Sequence, residues 1–146
     1  MAEDAGNSFR ERLDGFDFGR GQYVAMILPG GSQTNHFMDA DRLAKLKRGA
    51  YLINVGRGNA IDLDALKATL RSGQLGGVAL DVTEPEPLPP EDELWDFDNV
   101  IITPHCAGGL YLKQTRDAIV EICAENLFGK LRGLPLKNLV NRTAGY

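Results

Sequence analysis

Four short apolar runs organise this chain, each closed by glycine, proline or polar residues. They are Tyr23–Leu28, closed by Pro29-Gly30-Gly31, then Tyr51–Val55, Val78–Val82 and Val100–Thr103. Continuous apolar runs of this length predict strands buried on both faces, as parallel strands are. The segments between them carry helical spacing. Asp39 or Asp41 is placed to cap a short helix bearing Leu43 and Leu46. Asp62 is placed to cap a second helix with Leu63, Leu66 and Leu70, ending at Gly73. The longest helix is expected over residues 110–131, with Ile119, Ile122, Cys123, Leu127 and Phe128 on one stripe. The loop from Glu84 to Asp92 is so rich in proline that it excludes helix and central strand. Leu94 and Trp95 are expected to pin it to the body. A helical turn over Phe9 to Leu13 and a loop from Gly15 to Gly21 complete the reading.

Short strands alternating with helical segments predict βα units and a parallel sheet, an α/β fold. A chain of 146 residues fits one domain of ordinary size. The expected division is a lead-in over 1–22, a body over 23–131 and a tail over 132–146. In open parallel sheets ligands bind beyond the carboxyl ends of the strands. Arg57, Asp81, Glu86 and His105 all fall there. That placement groups them as one site.

Composition narrows the classes. Apolar residues make up 43% and charged residues 25%, the balance of a soluble globular protein. The net charge of −4 comes with no basic patch, which argues against nucleic-acid binding. Cys106 and Cys123 match no metal spacing and build no disulfide framework. The acidic, polar start has no signal-peptide pattern, and no apolar run approaches the ~18 residues of a membrane span. A reduced, cytoplasmic setting and no membrane partner are expected.

Each candidate carries its own chemistry. Arg57 stands between Gly56 and Gly58, which let the backbone turn and approach a ligand closely. Its guanidinium fork matches a carboxylate, though a structural ion pair at a strand end is an equal reading. His105 follows Thr103-Pro104 and precedes Ala107-Gly108, and an imidazole is a natural proton donor to a carbonyl. Glu86, beside such an imidazole, would stabilise its charged form. Asp81 lies in an apolar run, so it needs partners: an amide of a bound cofactor, or the next turn, which it would cap. Cys106 is read as a small lining side chain and His36 as surface. Together these suit a site that grips a 2-oxo or 2-hydroxy carboxylate and moves a proton on its oxygen.

The ordered motifs Asn54–Gly58, Leu80–Pro87 and Thr103–Gly108, with Leu28-Pro29 and Thr34 upstream, resemble the NAD(P)-dependent D-2-hydroxyacid dehydrogenases. The resemblance runs from about Tyr23 to Leu131 and touches the tail at Asn138–Asn141 and Gly145-Tyr146. It implies a Rossmann-like half-domain with flanking helices and a long C-terminal helix. It implies that Arg57 grips the substrate carboxylate, that His105 is the general acid or base, and that Glu86 orients His105. It implies that Leu28, Pro29, Val55, Gly56, Arg57, Asp81, His105, Ala107 and Gly108 line a site for NAD or NADP. The implied reaction interconverts 2-oxo acids and D-2-hydroxy acids of the glyoxylate or hydroxypyruvate type. A homodimer is implied as well.

The departures are two. Such enzymes are about twice this length or more, so the chain reads as a truncated, carboxyl-terminal part. The Gly-x-Gly-x-x-Gly turn that holds a pyrophosphate is not in the sequence. A second class therefore stays open: a non-catalytic remnant or interaction module of the same fold, similar to corepressors.

Overall fold

The computed structural model describes residues 15–110 and 112–142. The helical turn expected over Phe9 to Leu13 and the end of the tail lie outside them. Four strands form one parallel sheet in sequential order: β1 (Tyr23–Met26), β2 (Ala50–Asn54), β3 (Leu75–Leu80) and β4 (Val100–Ile102). The helices are α1 (Ala40–Ala44), α2 (Leu63–Arg71) and α3 (Lys113–Leu131). The parallel α/β sheet expected from the alternation of runs forms, as the half-domain that the resemblance implies.

Capping fixes the short helices. Asp39 accepts from the Arg42 N–H at the start of α1, and Asp62 accepts from Asp64 and Ala65 N–H at the start of α2. Gly73, at φ +68°, follows the end of α2. Leu43, Leu46, Leu66 and Leu70 bury themselves with Val24, Leu52, Val78, Met26 and Leu80. Each such leucine contributes about 1.5–3 kcal/mol on burial.

Two expectations about burial are corrected. The strands are not buried on both faces. In the register Tyr23–Tyr51–Gly77 and Ala25–Ile53–Ala79–Ile101, alternate residues point away from the core. Tyr23 is 69%, Tyr51 41% and Ile101 66% exposed, so none of the described residues covers this face. Apolar composition alone cannot distinguish a strand covered twice from one whose second face is apolar and bare. The long helix begins at Lys113, and none of its residues is buried. Of the expected stripe, Ile119, Leu127 and Phe128 are exposed, as is Val120, and Ile122 is half-buried. Among the described residues, no helix is long and apolar enough to cross a membrane.

The third strand starts earlier than its apolar run, at Leu75, and passes through Gly76 and Gly77. A side chain at Gly77 would come within 3.0 Å of the Tyr51 ring. Asp81 and Val82 fall just past the strand, so Asp81 stands at its carboxyl end and not inside it.

Candidate active site

At the carboxyl ends of three strands, a buried polar side chain ties the outgoing turn. After β1, the Thr34 hydroxyl donates to the Pro29 carbonyl at 2.7 Å, which holds the Leu28-Pro29 segment. After β2, Asn54 accepts from the Gly56 N–H at 3.1 Å and donates to the Arg57 carbonyl at 2.9 Å. Asn54 is 1% exposed, so both bonds are made out of water's reach. After β3, Asp81 ties the turn that follows β4.

Gly56 and Gly58 serve backbone packing. A Cβ on Gly56 would sit 2.7 Å from the Leu28 N and O atoms. A Cβ on Gly58 would sit 2.0 Å from the Thr83 carbonyl oxygen. The glycines let the three turns stack edge to edge. Arg57, between them, is exposed, and its Nη1 donates to the Gly56 carbonyl at 2.8 Å. Among the described residues no carboxylate pairs with it, so the ion-pair reading has no partner there.

Asp81 is 5% exposed and spends its oxygens on its own chain. Oδ1 accepts from the Thr103 hydroxyl at 2.5 Å and the Cys106 N–H at 2.9 Å, and Oδ2 from the Ala107 N–H at 2.9 Å. Of its two readings, the capping one is what this geometry displays. Burial raises the pKa of this carboxyl, but the bonds from Thr103, Cys106 and Ala107 outweigh it and hold the value at about 2. The folded value lies below the ordinary 3.8. Its contribution to stability is therefore full above the unfolded pKa and lost as pH falls through the folded one. Asp81→Asn is expected to cost about 1–3 kcal/mol at neutral pH. The melting temperature of the wild type should fall faster than that of the variant between about pH 4 and pH 2. Parallel curves would show that the carboxylate charge is not what holds the turn.

The turn held by Asp81 presents His105. The His105 N–H donates to the Asp81 carbonyl at 2.9 Å, and its φ of +50° is in the left-handed region. Its Nδ1 lies 2.6 Å from Glu86 Oε1. Both side chains remain partly exposed, at 44% and 42%. They line a cavity of about 460 Å³ with Asp81, Leu88, Trp95 and Ile102. Leu94 is buried and pins the loop as expected, whereas Trp95 is half exposed and donates from Nε1 to the Pro89 carbonyl.

The structure thus brings Glu86 and His105 into contact and sets Asp81 beneath them. Arg57, Leu28, Pro29, Val55 and Gly56 stand at the ends of β1 and β2, outside that cavity's lining. Ala107 and Gly108 lie exposed on the turn after His105. Cys106 is exposed, with Sγ 3.4 Å from Asp81, and His36 is an exposed residue at φ +45°. Sequence reasoning assigned no task to Asn54, Thr34 or Thr103. For Asn54 and Thr103 the available signal was a polar residue in the last positions of an apolar run, and Thr34 carried no such signal. Among the described residues, no cluster of three metal-ligating side chains occurs.

Residues 12–107 match the family model described as D-isomer specific 2-hydroxyacid dehydrogenase, NAD binding domain. The glyoxylate reductase of Thermofilum pendens is 41% identical over 119 residues, which are 82% of this chain and 34% of that protein. The chain therefore spans about a third of that relative's length. A D-isomer specific 2-hydroxyacid dehydrogenase from Xanthobacter autotrophicus Py2, solved with NADPH and MES, superposes with a TM-score of 0.82 at 41% identity. That match covers 93% of this chain and 54% of the other. The NADPH-dependent glyoxylate/hydroxypyruvate reductase of Sinorhizobium meliloti, solved with NADP and sulfate, gives a TM-score of 0.79 at 35% identity. It covers 93% of this chain and 43% of the other.

Proposed function

The chain belongs to the D-isomer specific 2-hydroxyacid dehydrogenases through their NAD-binding domain, and on that premise we propose that it carries the proton-transfer and nicotinamide side of an NAD(P)-dependent 2-oxo acid reductase. Glyoxylate and hydroxypyruvate are the first substrates to try, since relatives at 41% and 35% identity are named for them. The observation that carries the reading is the 2.6 Å contact between His105 Nδ1 and Glu86 at the carboxyl edge of the sheet. Residues 23–131 are then the half nucleotide domain and 132–146 a tail. The homodimeric state and the cytoplasmic setting belong to the same proposal.

The residues present fit the nicotinamide end of the cofactor. Val55-Gly56, Asp81 and His105–Gly108 follow consecutive parallel strands and so line one edge, with Leu28-Pro29, after β1, assigned to the adenosine. No strand, glycine turn and helix for a pyrophosphate occurs among the described residues. When bound, the cofactor supplies the hydride. The chain's own residues do the rest. Arg57, with no carboxylate partner among the described residues, holds the substrate's acid group by its fork. Glu86 occupies Nδ1 of His105, which leaves Nε2 to give its proton to the 2-oxo oxygen as that atom gains charge. In the reverse direction the same nitrogen takes the hydroxyl proton.

The test is a fluorescence titration of NADPH, then NADH, against the purified chain, followed by glyoxylate-dependent cofactor oxidation. Saturable binding and substrate-dependent oxidation are expected. No saturation up to about 1 mM cofactor, the top of the ordinary KM range, would reject the reading. A second reading, a non-catalytic interaction module, is favoured by the sheet face left bare among the described residues. Cofactor binding without turnover would support it.

A further inference from the structure

Glu86 sits in a segment with prolines at 85, 87, 89 and 90. Each fixes its own φ, so the segment behaves as a stiff strut and passes displacement along its length. Its near end is tied where the Thr83 hydroxyl donates to the Pro85 carbonyl at 2.8 Å. Its far end closes on itself. The Pro89 carbonyl accepts from both the Asp92 N–H and the Trp95 Nε1–H, and Asp92 accepts from the Leu94 N–H.

This knot is joined to the body through charge. Lys67 Nζ, on α2, donates to Asp92 Oδ2 at 2.8 Å. Their side chains are 15% and 14% exposed. The neighbouring Arg71–Glu93 pair is far more open, at 56% and 38%, and water screens it accordingly. The hydrogen bond to Asp92 raises the pKa of Lys67, so the pair stays charged through the neutral range.

We infer that Lys67, through its ion pair with Asp92, is a positioning residue that sets Glu86 against His105. The inference rests on the functional reading above, since it concerns the placement of the group that would orient the proton donor.

The chain has two histidines, so NMR of the imidazole carbons reads His105 directly, with His36 as internal reference. Glu86→Gln sets the benchmark displacement of the His105 signal. Lys67→Met is expected to displace that signal in the same direction by most of the benchmark, while His36 and the far-ultraviolet circular dichroism stay unchanged. Lys67→Arg should restore it, and Arg71→Ala should leave it in place. Asp92→Asn, which keeps an oxygen for the Leu94 N–H, approaches the pair from its other side and should repeat the Lys67→Met result. A His105 signal unmoved by both Lys67→Met and Asp92→Asn would overturn the inference, as would equal movement of both histidines. If Glu86→Gln itself leaves His105 unmoved, the Glu86–His105 pairing fails first, and with it the functional reading.

Discussion

Replacing His105 with glutamine is expected to lower kcat/KM for NADPH-dependent glyoxylate reduction by about 10²–10⁴-fold. Glutamine keeps a polar side chain of similar reach but cannot give up a proton at neutral pH. The loss should fall on turnover and leave cofactor binding in place, because Asp81 holds the turn through Thr103, Cys106 and Ala107 and not through the imidazole. Glu86→Gln should cost less. It leaves the imidazole present and removes only the carboxylate at Nδ1. Steady-state kinetics of the two variants, with a cofactor titration beside each, check this. An undiminished kcat/KM in His105→Gln would remove that residue from the chemistry, whatever its geometry.

The pairing behind this prediction was legible in the sequence only in part. Glu86 and His105 each follow a strand, and parallel strands put such residues on one edge. That argument places them in one region and leaves their contact to the loop between them. The 2.6 Å approach depends on where a proline-rich segment is tied, and those ties lie elsewhere. Lys67–Asp92 joins residues 25 apart, and neither carries a sign of its partner in the sequence. Asp81 shows the opposite case. A lone carboxylate at the end of an apolar run had to find partners, and a cap for the next turn was one of two readings. The structure gives that cap its donors: a hydroxyl and two backbone N–H groups.

The sheet shows why the faces were harder to read than the strands. Tyr23, Tyr51 and Ile101 are apolar or aromatic, so periodicity placed them in a core. They form a face that nothing in the described chain covers. Relatives about three times as long carry further chain that could take that place. The same mismatch holds for α3. Its apolar side chains promise a buried stripe, yet every residue of the helix stays at least partly exposed. Hydrophobic pattern reports what a segment can bury, and burial itself needs a partner surface.

Gly58→Ala is expected to destabilise the fold by about 3 kcal/mol or more. That corresponds to a fall in melting temperature of about 10 °C or more. The added Cβ would stand 2.0 Å from the Thr83 carbonyl oxygen, 2.1 Å from its carbon and 2.8 Å from the Glu84 N atom. All three are backbone atoms, so no side chain can rotate away to make room. Gly73→Ala provides the contrast. Its φ is +68°, but nothing lies within 4 Å of the added carbon. Only the left-handed backbone opposes it, at about 1 kcal/mol. Thermal melts of the two variants separate steric clash from backbone preference. Equal losses would mean that the β2 and β3 turns do not pack as closely as described. The clash has a second consequence. The Thr83–Glu84 backbone is the root of the strut that carries Glu86, and relief of the clash requires it and Gly58 to move apart. A folded fraction of Gly58→Ala should therefore also show the His105 imidazole displaced toward its Glu86→Gln position.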